Sequence, residues 1–471
     1  MLPGDKLIKK PRVKDLSPTT FEVLERRVTS RAFSSPAIIV FVFVILALLG
    51  TLLLMAPFSH NGDGFAPISI AFFTATSAVT VTGLIVVDTA SYWTNIGHGI
   101  ILALVFVGGL GFMTVAAFMV TIFGQRVSIS QRLLIRETLS RDQIGGLQRL
   151  SVSIVLVAIT IQIVAFIAFL IRFLFIYDVQ ESAFQAVAMS ISSFNNAGFV
   201  FFPEAEGLAA YQNDFFILGI LSVSIILGTL SYWVVSDIFS KRNFRLYSLV
   251  TKIVIVMTLL LIVLAAMFIF VSEGSNTQTM ADLPLKNKIA VSLFEGISGR
   301  TAGFSTINYS NANPATDVFL ALMMFIGGAT GSVAGGIKVT TFFIIVLAII
   351  TIIREKSHVT AFGREISDDT VKRSFAVFAV SLALVFSCVL ALALTNSHIL
   401  VRDLVFESFS AFGTVGLSTG ASGDLNVVGR IIVAITMLMG RVGPLIVGLK
   451  MVVSTAEGVT FKYPTEPVTI G

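Results

Sequence analysis

Four short stretches of the chain end alike: TVTG at 80–83, NNAG at 195–198, TAG at 301–303 and GTVG at 413–416. Each joins small, polar or hydroxylated residues to a terminal glycine. Chemistry from such a strand would come from its backbone. Glycine adopts dihedrals closed to other residues, so successive carbonyl oxygens can be turned to one side. There they can replace water around a monovalent cation, without the net charge of a carboxylate cage that would hold the ion too tightly. The candidate ligands are therefore the largely backbone oxygens of Thr80, Val81, Thr82 and Gly83; Asn195, Asn196, Ala197 and Gly198; Thr301, Ala302 and Gly303; and Gly413, Thr414, Val415 and Gly416.

Such strands must be positioned in pairs or more, and the sequence repeats the elements needed. Gly83, Gly198, Gly303 and Gly416 stand 115, 105 and 113 residues apart. Each ends a run of about 12–14 residues rich in small residues and phenylalanine, and each is followed by Leu or Phe. Such a run covers only ~20 Å as a helix, too little for a hydrocarbon slab of ~30 Å. Apolar windows of spanning length flank all four: 32–62, 89–125, 150–171, 215–236, 253–272 and 374–401 carry no charge, 318–353 only Lys338, and 431–449 only Arg441. With 55% hydrophobic residues, 13% charged residues and a mean hydropathy of +0.92 over 471 residues, the chain is an integral membrane protein. Irregular backbone survives at membrane depth only when buried in protein or lining a watery cavity. Four re-entrant segments are therefore expected to meet around one axis. The expected fold is all-α, with four span–pore helix–span repeats, giving eight transmembrane helices and four re-entrant loops around a central pore.

Charge fixes the orientation. The segments 1–36, 125–149, 237–252, 353–373 and 450–471 hold 24 of the 32 Lys and Arg but 13 of the 27 Asp and Glu, while the remaining segments are net acidic. That asymmetry places both termini in the cytoplasm and removes the nucleic-acid reading of the net +5 charge. The expected organisation is a cytoplasmic tail (1–36), pore repeats at 37–124, 150–240, 249–353 and 372–454, and a C-terminal tail (455–471). One cysteine, Cys388, supplies neither a disulfide framework nor a thiolate cluster.

Several charged residues lie close to the candidate strands. Asp88 follows the first, and Glu295 and Glu407 sit inside the third and fourth short helices. The C-terminal ends of those helices carry partial negative charge toward the loops. For the two glutamates, hydrogen bonding to filter backbone is preferred over direct ion binding. Arg300, beside Thr301, is expected to face away and pair with a glutamate such as Glu407, bracing the loop.

A second irregular segment, MMFIGGATGSVAGGIKVTTF at 323–342, interrupts the last span of the third repeat. It is no phosphate-binding loop, because Ile337 separates the glycines from Lys338 and the flanks are spans. The 327, 331, 335 glycine register would suit a helix-packing seam. The doubled pairs Gly327–Gly328 and Gly335–Gly336 argue instead for a broken helix lying below the filter. Its residues Gly327, Gly328, Ala329, Thr330, Gly331, Ser332, Val333, Ala334, Gly335 and Gly336 would form a movable flap. Lys338 and Arg441 are charged within apolar runs. Arg441 is expected to donate to freed carbonyls and hold the flap closed, whereas Lys338 suits the cytoplasmic interface better.

With TVTGL, NNAGF, RTAGF and GTVGL in order, followed by FIGGATGSVAGGIK and GRVGPL, the chain resembles the Trk/Ktr/HKT superfamily of potassium transporters. The resemblance covers nearly the whole chain and is strongest to its bacterial Ktr membrane subunits. It implies uptake of K+ through a central filter, with Na+ as a candidate activator, and an intramembrane gate at the glycine-rich break. It also implies no organic cofactor, a homodimer in the bacterial cell membrane, and a cytoplasmic ring of separate nucleotide-binding (RCK-type) regulatory subunits. A coupled symporter is the rival within transport, but its inverted repeats are not what four units running in one direction suggest. A membrane enzyme is the more distant rival. The four histidines (His60, His98, His358, His398) are scattered without metal-ligand spacing or a nucleophile–base pair.

Overall fold

The computed structural model describes residues 37–123, 147–202 and 207–454. The expected N-terminal tail, most of the basic connection near 125–149 and the C-terminal tail lie outside the described residues. An order of long helix, short helix, long helix occurs four times along the chain. The first group is α1 (Ala37–Met55), α2 (Ile68–Thr80), the single turn α3 (Thr89–Tyr92) and α4 (Asn95–Phe123). The second is α5 (Leu147–Phe173), α6 (Val179–Phe194), α7 (Phe215–Thr229) and α8 (Tyr232–Lys241). The third is α9 (Leu249–Glu273), α10 (Leu285–Thr301), α11 (Pro314–Met324) and α12 (Val339–Ile353). The fourth is α13 (Asp368–Thr395), α14 (Val401–Gly413), the turn α15 (Ala421–Asp424) and α16 (Val427–Ser454). Between α12 and α13 a two-residue hairpin pairs β1 (Thr360–Ala361) with β2 (Arg364–Glu365).

Helix starts follow local chemistry. Asp178 accepts from Gln180 N, Asp214 from Phe216 N and Ile217 N, and Ser248 from Thr251 N. Asn313 caps α11 ahead of Pro314 at its first turn. Packing then closes the molecule on itself. Helix α4 packs on α5 and α6, α7 on α10, α11 on α14, and α16 on α2. Each group's later helix therefore meets the next group, and the last meets the first.

The spans are less regular than the hydropathy windows. Among the described residues four helices are long and apolar enough to cross a bilayer, and α7 with α8 gives a fifth only if counted as one bent span. The window 215–236 is the clearest correction. It is read from sequence as one span, yet the helix stops at Thr229, and α8 departs at 99°. Ser231 caps α8 by accepting from Val234 N, a local signal that competes with helix continuation. In the other groups, Gly111 (φ 70°, ψ 162°) breaks α4 and the non-helical segment 325–338 separates α11 from α12, whereas α16 runs helically through Pro444.

Three of these last helices also come very close to the short ones. A Cβ on Gly108 would overlap the carbonyl of Val79, one on Gly228 that of Phe194, and one on Gly440 that of Phe412. Each of these carbonyls lies four residues before Gly83, Gly198 or Gly416. Small residues allow such backbone approach between membrane helices.

Candidate ion pathway

The short helices have 13, 16, 17 and 13 residues. The middle two exceed the expected length, but at ~1.5 Å per residue all four remain shorter than a ~30 Å hydrocarbon slab. Their C-terminal ends lead directly into the glycine strands. Gly83, Gly198, Gly303 and Gly416 all have positive φ, from 68° to 100°.

The strands form a closed ring. A Cβ on Gly83 would strike the carbonyl oxygen of Ala197 and approach Gly198 Cα. One on Gly198 would strike that of Ala302, one on Gly303 that of Val415, and one on Gly416 that of Thr82, beside Gly83 Cα. Each glycine thus abuts the carbonyl one residue before the next glycine, and the fourth returns to the first. Thr82, Ala197, Ala302 and Val415 are at most 1% exposed. Among the described residues, none of their four carbonyls accepts a hydrogen bond. Buried carbonyls are nearly always paired, so four unpaired oxygens around one ring call for an electropositive partner.

The strand N–H groups are taken up behind the ring. In the first strand Val81 N donates to Ala78 O (3.1 Å), Thr82 N to Ser77 O (2.8 Å) and Gly83 N to Ser77 Oγ (3.0 Å). The fourth repeats this: Thr414 N to Ala411 O (3.1 Å), Val415 N to Ser410 O (3.0 Å) and Gly416 N to Ser410 Oγ (3.1 Å). In the second and third, Ser192 and Ser298 hydroxyls donate forward to Phe199 O (2.8 Å) and Phe304 O (2.6 Å). The sequence reading missed these serines. Their signal is a serine five or six residues ahead of each strand-ending glycine.

Glycine is not the only residue held in the left-handed region. Val81 (φ 57°), Asn196 (φ 57°) and Thr414 (φ 49°), each two residues before the glycine, are there too. For β-branched residues this is a strained conformation, of the kind that persists where surrounding structure over-determines it. The third strand differs, because Thr301 at this position is still helical.

The two glutamates are spent on hydrogen bonds. Glu295 accepts from Thr306 N (2.6 Å), Thr306 Oγ1 (2.9 Å) and Tyr309 hydroxyl (2.7 Å). Glu407 accepts from Ser418 Oγ (2.5 Å), Ser422 Oγ (2.5 Å) and Thr419 N (3.1 Å). Each ties the returning strand to its short helix. Glu295→Ala would orphan several buried donors at roughly 1–3 kcal/mol each. Its thermal unfolding midpoint in detergent is expected to fall by several degrees, with Glu295→Gln in between; equal midpoints would contradict this role.

Two expectations need correction. Arg300 does not pair with Glu407. It is 3% exposed, and its Nε and Nη1 have no hydrogen-bond partner among the described residues. Asp88 is exposed and caps α3, accepting from Ser91 N (3.1 Å).

Below the ring lies the segment 325–338. Phe325 anchors its start, stacked on Phe412 at 5.4 Å and edge-on to Phe409 and Phe378. Gly327 N donates to Ile337 O (2.8 Å) and Val339 N to Gly328 O (3.1 Å), so the segment folds back on itself. It then touches the other groups. Ala329 N donates to Thr229 O (3.2 Å), Gly336 N to Gly440 O (3.3 Å), and Gly335 lies against the Thr414 side chain. Arg441 donates through Nη1 to Val333 O and through Nη2 to Gly108 O (3.0 Å), bridging segment and α4. Lys338 Nζ turns back to Ala334 O (2.6 Å) instead of reaching for the cytoplasmic interface. Gly331 at the tip is exposed, while Gly327, Gly328, Ala329, Ala334, Gly335 and Gly336 are buried.

Comparison with known proteins places the chain among membrane transporters. The family model TrkH, described as a cation transport protein, matches residues 21–463. The Ktr system potassium uptake protein B of Bacillus subtilis is 36% identical over 415 residues, covering 88% of this chain and 92% of that protein. The potassium/sodium uptake protein NtpJ of Enterococcus hirae is 31% identical, covering 95% of this chain and 100% of that protein. Among solved structures, the potassium transporter TrkH from Vibrio parahaemolyticus superposes with a TM-score of 0.69 at 18% identity, over 91% of this chain and 86% of that one.

Proposed function

Because the chain belongs to the TrkH family of cation transport proteins and is a potassium-uptake transporter of the Ktr/Trk kind, not an enzyme, we propose that K+ crosses the membrane through the ring of four glycine strands. The carbonyls of Thr82, Ala197, Ala302 and Val415, with those of the residues around them, replace the ion's water. Four span–pore helix–span repeats surround this path, and the C-terminal ends of the four short helices add a field that favours cations. One observation carries the reading: four buried carbonyls without hydrogen bonds among the described residues, each against the glycine of the preceding strand around the ring.

The segment 325–338 is the gate. Its fold beneath the ring, its seat on α7 and α16, and the Arg441 bridge to Val333 and Gly108 support a closed position held by a few hydrogen bonds. A modest energy delivered from the cytoplasmic side would shift it. The relatives' description as parts of a Ktr system supports separate regulatory subunits as the source of that energy; a nucleotide-binding ring acting on a homodimer is the arrangement proposed. Both termini then lie in the cytoplasm of the cell in which the chain works. Na+ enters as a competing or coupled ion, in keeping with the potassium/sodium description of the Enterococcus relative.

Tracer uptake into proteoliposomes tests the assignment. Potassium is expected to enter faster than sodium when the two compete, and a sodium preference would overturn the reading.

A further inference from the structure

Thr229, the last residue of α7, lies where the second and third strands meet the gate segment. Its Oγ1 is 2.8 Å from the Asn196 amide, 2.8 Å from Ile225 O and 3.2 Å from Thr301 Oγ1. Asn196 is satisfied at both ends when its amide nitrogen donates to Ser193 O (3.1 Å) and Ile225 O (3.3 Å). Its oxygen then accepts from Thr229 Oγ1 (2.8 Å) and Thr301 Oγ1 (3.2 Å). All three side chains are at most 1% exposed. No other pair of adjacent strands has such a bridge among the described residues, and Thr414 Oγ1, at the same level of the fourth strand, has no partner.

The location gives the network its consequence. Asn196 and Thr301 each immediately precede a ring carbonyl, those of Ala197 and Ala302. This is also where the ring is uneven, with Asn196 left-handed and Thr301 helical. Thr301's helical conformation coincides with a hydroxyl that reaches across to Asn196 and Thr229. A fully satisfied buried polar network rigidifies what it joins. In the size account of selectivity, potassium is favoured over sodium when the coordinating carbonyls resist closing on the smaller ion.

We infer that Thr229 is a specificity-determining positioning residue, whose hydroxyl holds the strands of Asn196 and Thr301 at the spacing that favours potassium over sodium. The inference rests on the filter reading above. Thr229→Val keeps the shape of the side chain and the carbonyl that receives Ala329 N, and removes only the hydroxyl.

The test compares wild type, Thr229→Val and Thr229→Ser in proteoliposomes, reading the ratio of potassium to sodium uptake under competition. Thr229→Val is expected to lower the ratio about fivefold, the scale of one net buried hydrogen bond, and Thr229→Ser to restore it. A general packing defect would reduce both fluxes and leave the ratio in place. A Val variant with the wild-type ratio, or a Ser variant as unselective as Val, would overturn the inference. If Thr229→Val does not assemble, Thr301→Val removes the partner hydroxyl and is judged by the same ratio. Wild-type vesicles without potassium uptake would overturn the filter reading itself, separately from any role of Thr229.

Discussion

Replacing Gly416 by serine is expected to abolish rescue of cells starved of potassium and to cut potassium flux in vesicles by about 100-fold. Two effects act at once. At φ 100° the backbone sits where L-residues rarely go, which costs of order 1–3 kcal/mol. The new Cβ would also overlap the Thr82 carbonyl oxygen and crowd Gly83 Cα. That carbonyl is one of the four ring oxygens unpaired among the described residues, so relief of the overlap must move an oxygen proposed as an ion ligand. About 2.8 kcal/mol of lost ion stabilisation at the barrier suffices for a factor of 100. Growth at low potassium and tracer uptake both measure it. Uptake within threefold of wild type would show that the Gly416–Thr82 contact does not shape the path.

The second large effect is expected from deleting 329–334, which removes the tip of the segment proposed as the gate and the Val333 carbonyl that Arg441 holds. Potassium flux without any regulatory partner should rise, by about tenfold if the closed seat is worth roughly 1.4 kcal/mol. The hydrogen bonds at stake are few: Ala329 N to Thr229 O, Val333 N to Gly228 O at 3.4 Å, and the arginine bridge. At a net of about 1 kcal/mol or less each, they permit a gate that opens under modest force. Phe325 and its aromatic neighbours remain outside the deletion, so the anchor of α11 persists. Unchanged flux would remove the segment from gating.

Much of this site was legible because repetition made it so. A single TVTG would say little, but four glycine-ended runs at near-constant spacing pointed to strands that share a function, and the structure sets those glycines against one another. The doubled glycines at 327–328 and 335–336 point likewise to a helix broken over 327–336, and the structure extends the non-helical backbone to 325–338. What periodicity did not carry was anything decided by contacts between groups. Arg300 was read as half of an ion pair because charges in apolar surroundings usually find partners, yet Glu407 is saturated by Ser418, Thr419 and Ser422. The bend after Thr229 was missed because Leu230, Tyr232 and Trp233 are as apolar as a span requires; the hydroxyl of Ser231, capping the next helix, outweighs them locally. Val81 and Thr414 in the left-handed region contradict residue preference altogether. Only the bonds from Val81 N to Ala78 O and Thr414 N to Ala411 O, together with the serines behind the strands, account for their conformation.

The most direct measurement is to locate the ion itself, by diffraction from crystals grown in rubidium, whose anomalous signal marks a potassium substitute. The account predicts density enclosed by the strands at 80–83, 195–198, 301–303 and 413–416, within coordination distance of the carbonyls of Thr82, Ala197, Ala302 and Val415. Rubidium bound elsewhere in the membrane region, with none between those strands at saturating concentration, would contradict it.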